Sequence, residues 1–296
     1  MPALHFVLLL SVGLLLSTQA LSSAIQQKDG LVKELVLDMA PNSFDDQYLG
    51  CVDRMEAKYL PQLLKEEFAA NEVLAVGWES AKAKWQERKA RGSVWGSLPY
   101  PSPPMGFKDE HGIALLAYTA SSQEQTPLYR EFNEAVREAG RSREDYLHHF
   151  HFKALHFYLT RALQLLRSSG GCQPGPCHVV YRGVRGLRFR PQGGGASVRF
   201  GQFTSSSLKK KVAQSSEFFF GQDTFFSIKT CLGVPIKAFS FFPSEEEVLI
   251  PPFEVFQVIN TSRPTAGSAI ILLSSKGKCS TYNCEYLKGK KTENCI

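Results

Sequence analysis

The hydrophobic period of this chain changes once, and the change falls on a polar, turn-rich stretch, Ser168-Ser-Gly-Gly-Cys-Gln-Pro-Gly-Pro176. Before it, from about Phe44 to Arg167, apolar residues recur at three- and four-residue steps, the spacing of one helix face. After it they come in short β-type runs separated by turn residues. A helical half followed by a strand-rich half reads as α+β rather than as alternating strand and helix.

Within the helical half, Asp53 to Phe68 places Met55, Tyr59, Leu60, Leu63 and Leu64 on one side, and Asn71 starts a second helix running to about Arg91. A loop follows from Gly92 to Phe107, then a short apolar segment from Gly112 to Thr119. Pro127 opens a helix to about Ala139, since proline suits the first helical position. The longest helix is expected from Arg143 or Glu144 to about Arg167. In the second half, strands are expected at Cys177 to Arg182, Ser197 to Thr204, Thr224 to Cys231, Lys237 to Phe242, Glu247 to Ile250, Phe253 to Asn260 and Ser268 to Ser274. A short helix is expected from Leu208 to Ser215.

The run from Phe6 to Leu16 is too short to span a bilayer and fits the apolar core of a secretory signal over residues 1–22. The remaining chain is then one domain, 23–280, with a helical part of about 44–168 and a strand-rich part of about 177–275. Residues 281–296 read as a polar, basic tail, unlike the hydrophobic ending of a lipid-anchor signal. These features imply a secreted, extracellular protein with no membrane anchor, expected to be a monomer. In that compartment the seven cysteines, which show no paired CxxC spacing, read as disulfide partners with one left over. Asn260-Thr-Ser262 is a glycosylation sequon. A net charge of +6 is too modest for a dedicated nucleic-acid binder.

Several chemistries lack their sequence signal. Gly183-Val-Arg-Gly186 and Gly193-Gly-Gly195 fit neither dinucleotide-fold nor P-loop patterns. Of His148, His149, His151 and His156, only His148 and His151 sit three apart and none sit four apart, so no metal site is expected. More informative are three acids, Glu245, Glu246 and Glu247, directly before an apolar run. At the start of a strand, alternation puts Glu245 and Glu247 on one side and Glu246 on the other. Two such carboxylates oppose each other's ionisation and form a receptor for a developing cation. Arg182 ends the first strand of the second half, and Ser205-Ser-Ser207 ends the next. Taken singly, each of these reads as a surface charge, a charged turn or a helix cap.

In this order, Arg182, Ser205-Ser-Ser207 and Glu245-Glu-Glu247 resemble the Arg…Ser-x-Ser…Glu-x-Glu signature of the mono-ADP-ribosyltransferases, most nearly the secreted type of the vertebrate ecto-enzymes. Ala117-Tyr118-Thr119, Gln202 and Ala238-Phe-Ser240 extend the likeness over roughly residues 30 to 280. The resemblance implies a split β-sandwich carrying an NAD cleft, with the helical subdomain packed alongside. NAD is then a co-substrate rather than a tightly bound cofactor, and arginine-containing proteins are the acceptors.

By the same resemblance, Arg182 contacts the phosphate and ribose region of NAD, and Ser205 holds the nicotinamide side. Tyr118, Gln202 and Ser240 line the cleft. Glu247 is the central catalyst, ionised and stabilising the oxocarbenium-like centre formed as nicotinamide leaves. Glu245 orients the acceptor guanidinium; in the family, Glu rather than Gln here goes with arginine as acceptor. Water in place of the acceptor gives NAD glycohydrolase activity, and a catalytically inactive secreted binding module is the alternative of a different class. The resemblance further pairs Cys177 with Cys231 and Cys51 with Cys279, leaving Cys172, Cys284 and Cys295 unassigned.

Overall fold

The computed structural model describes residues 32–92, 103–120, 128–168, 176–215, 223–262, 267–288 and 294–295. The expected signal segment, Pro127 and Cys172 lie outside them. Helix α1 (Leu60–Ala70) continues from a short turn, Val52–Arg54, and a π-helical stretch, Met55–Tyr59. Helix α2 (Glu72–Ala90) starts where expected because the Asn71 side chain accepts the Leu74 N–H at 2.9 Å. Helix α3 (Asp109–Thr119) is buried on every side from His111 to Tyr118, which is why its sequence carries no polar stripe. Helices α4 (Leu128–Glu138) and α5 (Lys153–Ser168) complete the layer.

The single long helix expected from Arg143 or Glu144 is not formed. Asp145–His149 is a π-helical turn, Phe150 is extended, and α5 begins at Lys153. Glu67 on α1 decides the break: its buried carboxylate accepts the N–H groups of Lys153 (2.6 Å) and Ala154 (2.9 Å). A carboxylate there satisfies free N–H groups and meets the positive end of the helix dipole. Burial nevertheless pushes the Glu67 carboxyl up to about 7. His156, expected on a partly exposed face, is fully buried between the Tyr48 hydroxyl and the Phe44 carbonyl.

Strands β1 (Lys33–Leu37) and β3 (Leu187–Pro191) form a parallel pair. The main sheet contains β2 (His178–Val184), β4 (Ser197–Val198), β5 (Thr204–Ser207), β6 (Thr224–Thr230), β7 (Val234–Pro235), β8 (Glu247–Ile250), β9 (Glu254–Ser262), β10 (Ala269–Ser280) and β11 (Asn294–Cys295). Its order is β4-β9-β10-β6-β2-β5-β8-β7, with β11 beside β10. The strand expected from Ser197 to Thr204 divides, because Gly201 turns at a φ of +65° against Ala40 and Ser43, where a side chain has no room. Its two halves, β4 and β5, lie in different parts of the sheet. The strand expected from Lys237 to Phe242 is instead a 3-10 turn, Lys237–Phe239.

One junction gives the fold its split. Strand β2 pairs with β6 along its whole length, and β5 with β8 likewise, yet β2 and β5 share only the pair Tyr181–Ser207. Beyond that pair the sheet parts. One core gathers Val180, Phe226, Ile228 and Phe256 with Val248 and Ile250 of β8. Phe203, Val234, Phe239 and Leu249 join the aromatic core of the helices.

Cys177 bonds Cys231, tying β2 to β6. The expected Cys51–Cys279 bridge is absent: Cys51 bonds Cys284, and Cys279 bonds Cys295 across β10 and β11. Two buried carboxylates explain the change. Asp45 accepts the N–H groups of Thr281 and Tyr282, and Asp46 those of Cys284 and Glu285, so the chain after β10 is laid beside Cys51. Residues 281–287, expected in a solvated tail, are therefore docked, with Tyr282 buried. Replacing Cys51 and Cys284 together by serine is expected to lower stability by about 2–5 kcal/mol, and replacing Cys279 and Cys295 by about 2 kcal/mol less, because their loop is much shorter. Denaturant unfolding of the two double variants measures the difference; equal losses would contradict it.

Candidate active site

The chemistry-bearing residues gather at the parting between β2 and β5. Arg182 on β2 reaches across and donates to the Ser205 carbonyl on β5 at 2.6 Å. The Ser205 hydroxyl donates to Glu247 Oε1 at 2.5 Å, and the Ser240 hydroxyl to Glu247 Oε2 at 3.2 Å. Glu247 is the first residue of β8, placed by its register against Ser207. Only 6% of it is exposed. Burial pushes its carboxyl up, while the two hydroxyl donors and the charge of Arg182 pull it back. Such a carboxylate keeps an unscreened attraction for a cation formed beside it.

Glu245 reaches the same cleft by a route that strand alternation does not describe. It ends a 3-10 turn, Pro243–Glu245, and lies outside the strand. Glu246 then adopts the left-handed conformation (φ 48°, ψ 54°), uncommon for a residue with a side chain. Three contacts hold it there: Lys209 Nζ at 3.3 Å and Lys237 Nζ at 3.4 Å from its carboxylate, and the Leu208 N–H on its carbonyl. Glu246 is thereby turned away, and Glu245 and Glu247 both border one cleft with Tyr181, Arg182 and Ser205. Burial, and secondly the charge of Glu247, push the Glu245 carboxyl up to about 7.

Tyr118 and Gln202 stand one layer back from this cleft. The Tyr118 hydroxyl donates to the Phe203 carbonyl at 2.9 Å, and burial pushes it up to about 12. Gln202 Oε1 accepts from Arg137 Nη1 at 2.7 Å. Sequence reading gave no role to the residues that hold these walls from the helical layer. Arg88 on α2 donates to the carbonyls of Ala238 and Ser240, both at 2.7 Å, fixing the segment whose serine touches Glu247. Thr119 Oγ1 accepts the Phe241 N–H at 3.2 Å. Arg88 lies 150 residues from its partner Ala238, and no local pattern marks such a pair.

Comparison with known proteins agrees with this geometry. Residues 37–281 match the family model described as NAD:arginine ADP-ribosyltransferase. The chain is 64% identical over 292 residues to the mouse GPI-linked NAD(P)(+)–arginine ADP-ribosyltransferase 1, covering 98% of this chain and 85% of that protein. It is 52% identical to human ecto-ADP-ribosyltransferase 5 over 262 residues, 88% of this chain and 84% of that protein. The crystal structure of the eucaryotic mono-ADP-ribosyltransferase ART2.2 superimposes with a TM-score of 0.69 at 51% identity, covering 85% of this chain and 99% of that one. Variants of ART2.2 have been solved with NADH and with NAD.

Proposed function

The chain belongs to the NAD:arginine ADP-ribosyltransferase family, and from that premise we infer that it transfers ADP-ribose from NAD to arginine side chains of proteins, with release of nicotinamide. The observation that carries this reading is the pair of carboxylates on one cleft. Glu247 is held by Ser205 and Ser240, and Glu245 is poised near neutrality beside it. NAD is a co-substrate; no tightly bound cofactor enters the chemistry.

The division of labour follows from the two environments. Cleavage of the nicotinamide–ribose bond leaves positive charge on the ribose, and the buried Glu247 carboxylate stabilises it as it forms. Ser205 and Ser240 fix both oxygens of that carboxylate, so little reorganisation is needed when the charge appears. Arg182, tied to the Ser205 carbonyl, offers its remaining donors to the anionic part of NAD. Glu245 faces the acceptor. An arginine guanidinium keeps its proton to well above neutral pH, so attack needs orientation and proton removal together. A carboxyl near 7 suits that role.

Water reaching the cation before an arginine does gives NAD glycohydrolysis at the same site. Purified, correctly oxidised protein supplied with NAD and a free guanidino compound is expected to label the acceptor and release nicotinamide. Release without labelling would favour hydrolysis, and neither signal would overturn the enzyme reading. The relatives named GPI-linked agree with an extracellular setting and weigh against the expectation of a soluble, unanchored product. Treating expressing cells with a phosphatidylinositol-specific phospholipase distinguishes an anchored from a freely released form. Asn260 is exposed on β9, where a glycan would meet solvent.

A further inference from the structure

The stretch from Lys237 to Phe242 turns where a strand was expected, so its carbonyls must find partners outside the sheet. Helix α2 supplies them. Arg88 Nη1 donates to the Ala238 carbonyl and Nη2 to the Ser240 carbonyl, both at 2.7 Å. One turn earlier on the same face of α2, Trp85 stacks on Phe239, the residue between those two carbonyls, with 6.1 Å between ring centroids. Phe239 is fully buried. One helix face thus seats both the backbone and the side chain of the turn.

Hydrogen bonds carry that placement on to the cleft. The Ser240 hydroxyl accepts the Phe242 N–H at 3.1 Å and donates to Glu247 Oε2 at 3.2 Å. Accepting the N–H fixes the hydroxyl oxygen and leaves its one proton for the carboxylate. The Phe242 carbonyl in turn accepts the Glu245 N–H at 3.0 Å. Arg88 is not one of the described residues that line the cleft. Its planar fork carries donors on two nitrogens, whereas an ammonium is a single point of charge. Two carbonyls held by one rigid group leave Ser240 little freedom to leave Glu247.

We propose that Arg88 is a positioning residue for the reaction: from the helical layer it sets the Ser240 hydroxyl on Glu247, and so fixes the carboxylate that stabilises the developing cation. This rests on the ADP-ribosyltransferase reading above. The competing role is structural alone, with Arg88 serving only to fasten α2 to the turn.

Arg88→Met keeps much of the side chain's length without its donors. It is expected to lower kcat for nicotinamide release by about ten- to a hundredfold while KM for NAD changes by less than about threefold, since a misplaced carboxylate is felt mainly in the transition state. The Ser240 donor favours the ionised form of Glu247, so weakening it moves the acid limb of nicotinamide release to higher pH. Arg182, Tyr118 and Glu245, the other ionisable groups that act on Glu247, are all retained in this variant. Arg88→Lys, which can hold one carbonyl, should give an intermediate loss and an intermediate shift, and it serves if the methionine variant does not fold. Ser240→Ala should reproduce both effects, and adding Arg88→Met to it should cost less than about threefold more. A lowered unfolding temperature with kcat and the acid limb unchanged, or losses that multiply in the double variant, would overturn the proposal in favour of the structural role. Wild-type protein that releases no nicotinamide would instead remove the reading on which the proposal stands.

Discussion

Glu247→Gln is expected to abolish nicotinamide release and arginine labelling together, lowering kcat for each by about 10²–10³-fold or more. The substitution keeps size and shape, and Ser205 can still donate to the remaining oxygen. What it removes is the negative charge, in a site where burial makes charge both expensive to hold and strong in its effect. KM for NAD should move little, because an interaction with a developing cation is made mainly in the transition state. Stability gives an independent check. Burial raises the folded-state value of Glu247 above its unfolded value, so the ionised side chain weakens the fold above the unfolded pKa. A neutral amide removes that effect, and the variant should unfold at the same temperature or higher while activity collapses. Loss of activity with a clear fall in unfolding temperature would mean that Glu247 acts through the fold. Retained hydrolysis would show that it is not the stabiliser of the cation.

The outline of this fold was legible because its signals are local. The change of period near Ser168 separates the helical and strand layers, and Asn71 caps α2 through a residue three positions away. The order of Arg182, Ser205 and Glu247 was legible for the same reason, since each belongs to a short strand with its own local pattern, although β2 runs on past Arg182, its expected end, to Val184. Errors came where a distant group overrode the local pattern. Glu67 ends what would otherwise be one helix through Phe150, and Asp45 and Asp46 redirect the chain so that Cys51 meets Cys284. The convergence of Glu245 and Glu247 was expected for an incomplete reason. Alternation in a strand does not apply to a residue in a 3-10 turn, and the left-handed Glu246 held by two lysines replaces it. Arg88 and Arg137 carry no local signature, because their partners lie 65 to 152 residues away.

The second large effect separates the two reactions. Glu245→Gln should reduce transfer to arginine by about 10²–10⁴-fold, the usual range for a lost general base, while hydrolysis of NAD keeps most of its rate. The two carboxylates border one cleft but sit in different settings. Glu247 has two hydroxyl donors and a nearby guanidinium, whereas Glu245 is raised to about 7 by burial and by the charge of Glu247. As pH rises through about 7, Glu245 loses its proton and becomes able to orient the guanidinium and take its proton. The ratio of labelled acceptor to released nicotinamide therefore increases with pH in the wild-type enzyme. Taking the ratio cancels the titration of Glu247, which both reactions share. In Glu245→Gln the ratio should be low and flat across neutrality, because the group that titrates is gone. Measuring both products over the same pH series tests the assignment. Equal loss of hydrolysis and transfer, or a ratio that still climbs through neutrality in the variant, would place the acceptor base elsewhere in the cleft.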